Sequence, residues 1–473
     1  MNSRKFLSNL SQSILSNFLV LSVSILTNII VPRYLGLSEF SYWQLYAFYT
    51  SYIAIFHLGW LDGLYLRYAG MELNELAREK LGNQFLFLFG VECFFSASIL
   101  LVGWALHLQG PRWDVLVFIT AALIIINLFG FFLTLFQTTN QIKFYAIAVR
   151  YERIFYSILL IAYLISGGRS FKTLILFDLF AKLVVLVILI VKFKFLLNRS
   201  SMATKTVIQT FGETAVIGVP LVLANLVSGL IIGVPRFLLN ISWSIEVFGK
   251  FSFTISILNM FMLFLNSIGI VIFPLVKKVT SQNLATLYRL IRKFLTPVSF
   301  FCLLFYFPAK FILNLWLPKY ADSLFFLGIL LPIIIFEARV TLLINPFLKS
   351  MRKEKLILKA NSIGLLVSII ASYLAVVIWH NLILVNVVLV VAIVIRTLYL
   401  EISLSRQLQL DFSKDYLYEG CLVSLFIFSN IHTVLSLVIL YAIGLVAYLC
   451  FTVKKSDLNE MIGLIRQGGT SKQ

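Results

Sequence analysis

Arg33 and Arg236 hold the same place in two copies of one short pattern, Val31-Pro32-Arg33-Tyr34-Leu35 and Val234-Pro235-Arg236-Phe237-Leu238. The copies lie 203 residues apart, each at the close of a long apolar run. A guanidinium presents a planar fork of donors that grips a phosphate or carboxylate through two parallel hydrogen bonds. Two of them at matching positions could hold one multivalent anion, and snorkelling of each arginine to head groups explains the same placement. Further ionisable residues lie inside apolar runs, where a charge costs roughly 2.5–3.5 kcal/mol on insertion scales. They are Glu92, Asp178 with Lys182, Glu213, Glu337 with Arg339, and His57 followed by Asp62 and Arg67.

Spacing constrains what these groups can do. Asp178 and Lys182 are one helical turn apart and can neutralise each other on one face, a structural pairing. Glu337 and Arg339 are two residues apart, so they point about 200° apart on a helix and each needs a partner on another helix or a wet cavity. His57, alone in an aromatic-rich run, reads as a packed, hydrogen-bonded residue, with a proton relay as its functional alternative. Asp62 and Arg67 belong near head groups or at a cavity entrance.

The elements that position these residues follow from composition. The chain has 473 residues, 60% hydrophobic and 12% charged, against roughly 25% charged in an ordinary soluble domain. Apolar runs of about 20 residues recur along its length, each able to cross a hydrocarbon core of about 30 Å as a helix. Stretches such as "LFLFGVECFFSASILLVGWAL" (86–106) do not alternate as barrel strands would. This is the pattern of an all-α polytopic membrane protein. Polar and Gly/Pro breaks mark fourteen spans near 13–33, 41–61, 84–106, 115–137, 145–166, 172–195, 212–237, 248–275, 294–315, 323–347, 358–379, 382–404, 416–430 and 433–453. The first run follows Arg4 and Lys5 but lacks a small-residue cleavage site, and it reads as a retained helix. Cys93, Cys302, Cys421 and Cys450 all fall inside apolar runs without ligand spacing, which predicts buried packing residues.

Charge orients the spans. With the N-terminus inside, 29 of the 39 Lys and Arg fall in cytoplasmic segments and eight outside, Arg292 and Arg396 being counted inside. Both termini are predicted cytoplasmic. The net charge of +19 then reflects topology and contact with anionic membrane lipids, and a nucleic-acid partner is not required.

The repeated pattern closes the first and seventh spans, so its copies share one orientation across the bilayer, as in a parallel repeat. The expected organisation is a six-helix lobe over 1–202, a second over 203–407, and two extra helices with a cytoplasmic tail over 408–473. Glu39-Phe40-Ser41 matches Val247-Phe248-Gly249 at an offset of 208, which predicts a loop five residues longer in the second copy. Pro220 and Pro332 sit inside spans and are expected to kink them.

The segment "IIVPRYLGLSEFSYWQLYAFYTSYIAIFHLGWLDGLYLRYAG" (29–70) resembles the opening of the polysaccharide and O-antigen flippases of the multidrug/oligosaccharidyl-lipid/polysaccharide (MOP) exporter superfamily. The resemblance rests on Arg33-Tyr34-Leu35-Gly36, on the turn Glu39-Phe40-Ser41-Tyr42, and on Gly59-Trp60-Leu61-Asp62-Gly63-Leu64. Ser41 stands where glycine is commoner, and the second copy lacks the glycine of Gly36. The resemblance implies two lobes in a V around a central cavity. It also implies alternating access that carries a polyprenyl-diphosphate-linked oligosaccharide, an O-antigen or other surface-polysaccharide repeat unit, from the cytoplasmic to the outer leaflet of a bacterial inner membrane. In that setting Arg33, Arg236, Arg339 and Arg67 are candidates for the diphosphate. Asp62, Glu92, Asp178 and Glu337 are candidates for a coupling Na⁺ or H⁺, with no other cofactor, and other polysaccharide-assembly membrane proteins are possible partners. Two alternatives stand beside it: a multidrug cation antiporter, which would favour acidic and aromatic cavity residues, and a membrane-embedded glycan polymerase or ligase, which would need a long external catalytic loop. Nucleotide loops, metal spacings and nucleophile constellations are absent from the sequence.

Overall fold

The computed structural model describes residues 18–76, 81–197, 204–278, 284–432 and 435–452, with side chains described throughout except over 264–278. Arg4, Lys5 and the beginning of the first predicted span lie outside these residues, as does the basic tail from Lys454. Among the described residues the chain is helical and contains no strand. Its contacts divide it into two units, Met1–Leu226 and Val227–Gln473.

The first unit contains α1 (Phe18–Tyr34), α2 (Leu37–Thr50), α3 (Trp60–Arg67), α4 (Gly82–Ala105), α5 (Pro111–Thr138), α6 (Ile142–Ile165) and α7 (Phe171–Lys192). It also takes the first half of α8 (Thr204–Ser242). The second unit takes the other half of α8 and continues with α9 (Ile245–Lys278), α10 (Leu284–Trp316), α11 (Pro318–Leu330), α12 (Ile333–Ser350), α13 (Glu354–Ile378) and α14 (Leu382–Gln407). It closes with α15 (Ser413–His432) and α16 (Leu435–Thr452).

Among the described residues nine helices are long and apolar enough to cross a membrane, or ten if the bent pair α11–α12 counts as one span. The other predicted spans coincide with α1, with the pair α2 and α3, with α6 and with α15, which are shorter, broken or more charged. The surface is that of a protein in lipid. Leu101, Ile165, Phe311 and Phe451 point outward on their helices, while Gln44, Asn127, Thr397 and several charged residues lie inside. A water-soluble bundle has the reverse arrangement.

Several local expectations are corrected. The predicted span 41–61 is not one helix: it stops at Thr50, passes through a 3₁₀ turn at Ile53–Ile55 and restarts at Trp60. Leu58 and Gly59 both have positive φ there, 53° and 81°, a conformation that ends a right-handed helix. The chain is bent by 49° between α11 and α12 at Pro332, as expected, whereas α8 remains one helix through Pro220. After the second Val-Pro-Arg the extra residues do not make a longer loop. They carry α8 on as helix to Ser242, while the first copy ends at Tyr34. Cys421 and Cys450 are exposed rather than buried, Cys93 and Cys302 are half-buried, and all four thiols are free.

Candidate functional site

In the first unit the break in the second span is held by backbone contact. Gly59 supplies the left-handed turn into α3, and a Cβ added there would come within 2.6 Å of the Val219 nitrogen on α8. A Cβ on Gly63 would run into the Thr214 carbonyl, and one on Gly218 into the backbone of Gly59 and Gly63. Only glycine lets two helices approach so closely. Trp60 fixes the same corner from inside: its indole nitrogen donates to Gln84 Oε1 at 3.2 Å, and its ring stacks on Phe131 and Phe211. Arg67, at the exposed end of α3, donates to Thr214 Oγ1 at 3.0 Å. His57 is buried in the turn, with Nε2 3.7 Å from the Asp62 carboxylate.

Two acidic centres lie within this unit. Glu92 on α4 is fully buried and accepts from Asn127 Nδ2 at 2.8 Å. The same amide reaches the Ile53 carbonyl in the turn at 3.4 Å. The second carboxylate oxygen of Glu92 has no hydrogen-bond partner among the described residues. Asp178, by contrast, pairs with Lys182 and accepts from the Tyr46 hydroxyl at 2.9 Å. Lys182 also lies 3.2 Å from Glu152, which in turn pairs with Arg153 at 3.0 Å. Asp178 therefore belongs to a four-charge network rather than to an isolated pair.

The second unit buries a larger network. Arg339, on the π-helical stretch Arg339–Ile344 within α12, donates to Glu401 and Glu419, each at 2.8 Å. Arg292 donates to the same two glutamates at 2.7 and 2.8 Å, and to Asp415 at 2.9 Å. Tyr288 and Tyr448 add hydroxyl donors, and the Arg292 guanidinium lies 4.2 Å from the centre of the Phe412 ring. Glu337 points elsewhere and pairs with Arg396 at 2.8 Å. Neither Glu337 nor Arg339 pairs with the other, and each takes its partner from a different helix, as their spacing requires.

The two repeated arginines have different surroundings. Arg33 is exposed at the end of α1. Arg236 is buried, donates from Nε to Ser252 Oγ at 3.2 Å and sits 5.9 Å from the centre of the Phe248 ring. Glu39 lies in the first helical turn of α2, the expected turn Glu39–Tyr42 being helix, and it accepts from the Phe171 amide at 2.8 Å, satisfying an open donor at the start of α7.

The sequence matches no protein-family model and no curated protein. Solved structures do resemble it. A structure described as the lipid II flippase MurJ in an inward closed conformation matches with a TM-score of 0.66 at 13% identity, over 94% of this chain and 98% of that one. An inward-facing multidrug resistance MATE family transporter of the MOP superfamily matches with a TM-score of 0.60 at 11% identity, over 83% of this chain and 95% of that one. A MATE structure in complex with MaL6 gives 0.55 at 12% identity, over 85% and 96%. The fold is the one these solved structures share.

Within this fold the motifs behind the sequence resemblance have structural work. Gly59 to Leu64 makes the broken second span and its contact with α8, and Glu39 to Tyr42 closes the start of α7. Of the predicted residues, Asp62 and Arg67 share α3, while Glu92 and Asp178 lie in separate centres. Arg339 lies in the second unit's network and Glu337 beside it on Arg396. Residues that the sequence reading missed are Glu152, Glu401, Glu419 and Asn127. Arg292 and Arg396, counted as cytoplasmic charges, are each only 2% exposed inside the second unit. Glu401 within a predicted span was the available signal, since an acid there requires a basic partner.

Proposed function

We propose that this protein is a flippase. In this reading it carries a polyprenyl-diphosphate-linked oligosaccharide, an O-antigen or other surface-polysaccharide repeat unit, from the cytoplasmic to the outer leaflet of a bacterial inner membrane by ion-coupled alternating access. Residues 1–202 and 203–407 act as the two lobes, 408–473 as an accessory pair, and both termini are cytoplasmic. The observation that carries the reading is the likeness to a lipid flippase over nearly the whole length of both chains. Arg33 and Arg67, exposed at the ends of their helices, and Arg236 are the residues assigned to the diphosphate, and Arg339 is the weaker candidate because Glu401 and Glu419 already engage it.

A second reading, a multidrug cation antiporter, is favoured by the MATE likenesses and by the buried acids of the first unit. One experiment separates them. The protein is reconstituted in liposomes carrying a polyprenyl-diphosphate oligosaccharide on one leaflet, and the appearance of the glycan on the other is followed with and without Arg33→Gln and Arg236→Gln. Flipping by the unmodified protein, lost in either variant at normal folding, supports the proposal. Absence of flipping, together with uptake of a fluorescent organic cation against a proton or sodium gradient, replaces it with the antiporter.

A further inference from the structure

The buried acids of this protein fall into two groups. Glu152, Asp178, Glu401 and Glu419 each contact an arginine or lysine. Glu92 is equally buried, and its one polar partner among the described residues is the neutral amide of Asn127. Its second oxygen has no hydrogen-bond partner among the described residues. An ionised carboxylate in a dry interior without a cation is strongly unfavourable, and such a group takes up a proton or a metal ion instead. A metal ion fits poorly here. The described residues contain no cluster of three or more His, Cys, Asp or Glu able to hold one, and the oxygens at hand, Glu92 Oε1 and the Ile53 carbonyl, already accept from Asn127. A proton needs only the bare oxygen.

We infer that Glu92 is the site at which this transporter binds and releases its coupling proton, and that the broken second span over residues 51–59 is the segment that responds. The inference rests on the reading of the chain as a coupled transporter and names the ion and its site. The link to the break is direct, since one amide, that of Asn127, bridges the Glu92 carboxylate and the Ile53 carbonyl. The ring of Phe56 in the same turn meets Phe95, one helical turn beyond Glu92 on α4. On its far side the turn passes through Gly59 onto the backbone of α8 at Gly218 and Val219.

The step moves one proton and no electrons. An O–H bond forms on the unpartnered oxygen as a hydronium ion gives up its proton, and it breaks when that proton returns to water. With the proton absent, the bare carboxylate draws the Asn127 amide more strongly and weakens its hold on Ile53. The turn is suited to yielding because it is a single 3₁₀ turn followed by two residues of positive φ. The charged and titratable groups on the elements around Glu92 are Cys93 on α4, Tyr52 and His57 in the turn, Asp62, Tyr65 and Arg67 on α3, Arg112 and Asp114 at the far start of α5, Lys194 after α7, and Lys205 and Glu213 on the first half of α8.

The test uses the full chain in lipid nanodiscs. Infrared difference spectra between acidic and alkaline buffer are expected to show a protonated-carboxyl band that is lost in Glu92→Gln. In Asn127→Leu, which keeps the acid and removes its donor, the band persists with a displaced midpoint. Hydrogen exchange, corrected for its intrinsic pH dependence, is expected to show that protection over 51–63 changes with pH in the unmodified protein and not in Glu92→Gln. If the spectra of Glu92→Gln and the unmodified protein coincide, Glu92 does not titrate and the inference is overturned. If sodium at constant pH reproduces the change over 51–63, the site binds a metal cation and the inference is again overturned. Should Glu92→Gln fail to fold, Asn127→Leu decides alone, because an unmoved midpoint overturns the assignment. Both readouts are independent of cargo, so a proton site found in a protein that flips no polyprenyl-diphosphate glycan would refute the proposed cargo and leave Glu92 standing.

Discussion

Both units bury networks of paired charges, but the first also buries an acid that no cation compensates. In the second, Arg292 and Arg339 face Glu401 and Glu419 so completely that each guanidinium bonds to both carboxylates. In the first, Glu92 has one neutral donor. A closed network of matched charges behaves as a fastener, since breaking it leaves a bare charge in a dry interior. A carboxyl without a counter-charge can change its protonation without dismantling anything around it. The contrast separates structural ionisable groups from those free to act, which burial alone cannot do.

The largest expected effect breaks the fastener. Glu401→Gln or Arg339→Leu leaves an uncompensated buried charge and should destabilise the protein by about 3–5 kcal/mol, read as a lowered unfolding midpoint in detergent. The parallel change in the first unit, Glu92→Gln, keeps the acceptor for Asn127 and should stay within about 1 kcal/mol of the unmodified protein. A large loss there would abolish the distinction.

Next in size is the glycine contact. Gly63→Ala forces a methyl into the Thr214 carbonyl and should cost about 1–3 kcal/mol. Gly90→Ala, where nothing lies within 4 Å, should be neutral or stabilising by up to about 1 kcal/mol; thermal unfolding of the pair checks both.

The repeated arginines give a smaller difference. Arg236→Gln disturbs a buried hydrogen bond and should cost about 1 kcal/mol, while exposed Arg33→Gln should change stability by less than about 0.5 kcal/mol. Loss of flipping in Arg33→Gln would then report function and not folding.

The smallest effect lies outside the membrane. Asp411 accepts from the Ser413 amide and hydroxyl, and these bonds hold its carboxyl below the ordinary carboxylate range. A lowered folded value means stabilisation that is present above the unfolded value and is lost as pH falls through the folded one. Ser413→Ala removes the hydroxyl donor and keeps the amide, and should weaken that acid sensitivity in hydrogen exchange at the start of α15.

The helices were legible because twenty-residue apolar runs have few other uses in a protein. Among the described residues each predicted span meets a helix or a helix pair, and of the two prolines inside spans Pro332 lies at a bend while α8 runs on through Pro220. The break at 51–59 was hidden because Ile53, Ile55, Phe56 and Leu58 keep the hydropathy high through a segment that is not continuous helix. Only Gly59 and Gly63 marked it. The second unit's network was hidden for another reason. Arg292 sits just before the predicted span 294–315, where a basic residue looks the same whether it meets a lipid phosphate or a glutamate from a distant helix, and Arg396, although inside the predicted span 382–404, is counted there with the cytoplasmic charges. Glu337 and Arg339 show what local geometry can and cannot give: spacing ruled out their pairing, and only the fold named Arg396, Glu401 and Glu419.

The glycine contact between α3 and α8 has a mechanical consequence. Where side chains separate two helices, a displacement is absorbed by rotamer changes and little of it passes on. Between Gly59, Gly63 and Gly218 nothing soft intervenes, and peptide planes neither compress nor re-rotate cheaply. The joint therefore works like a hard bearing: α3 can roll on α8 but cannot sink into it, and any tilt of the second span reaches α8 undamped.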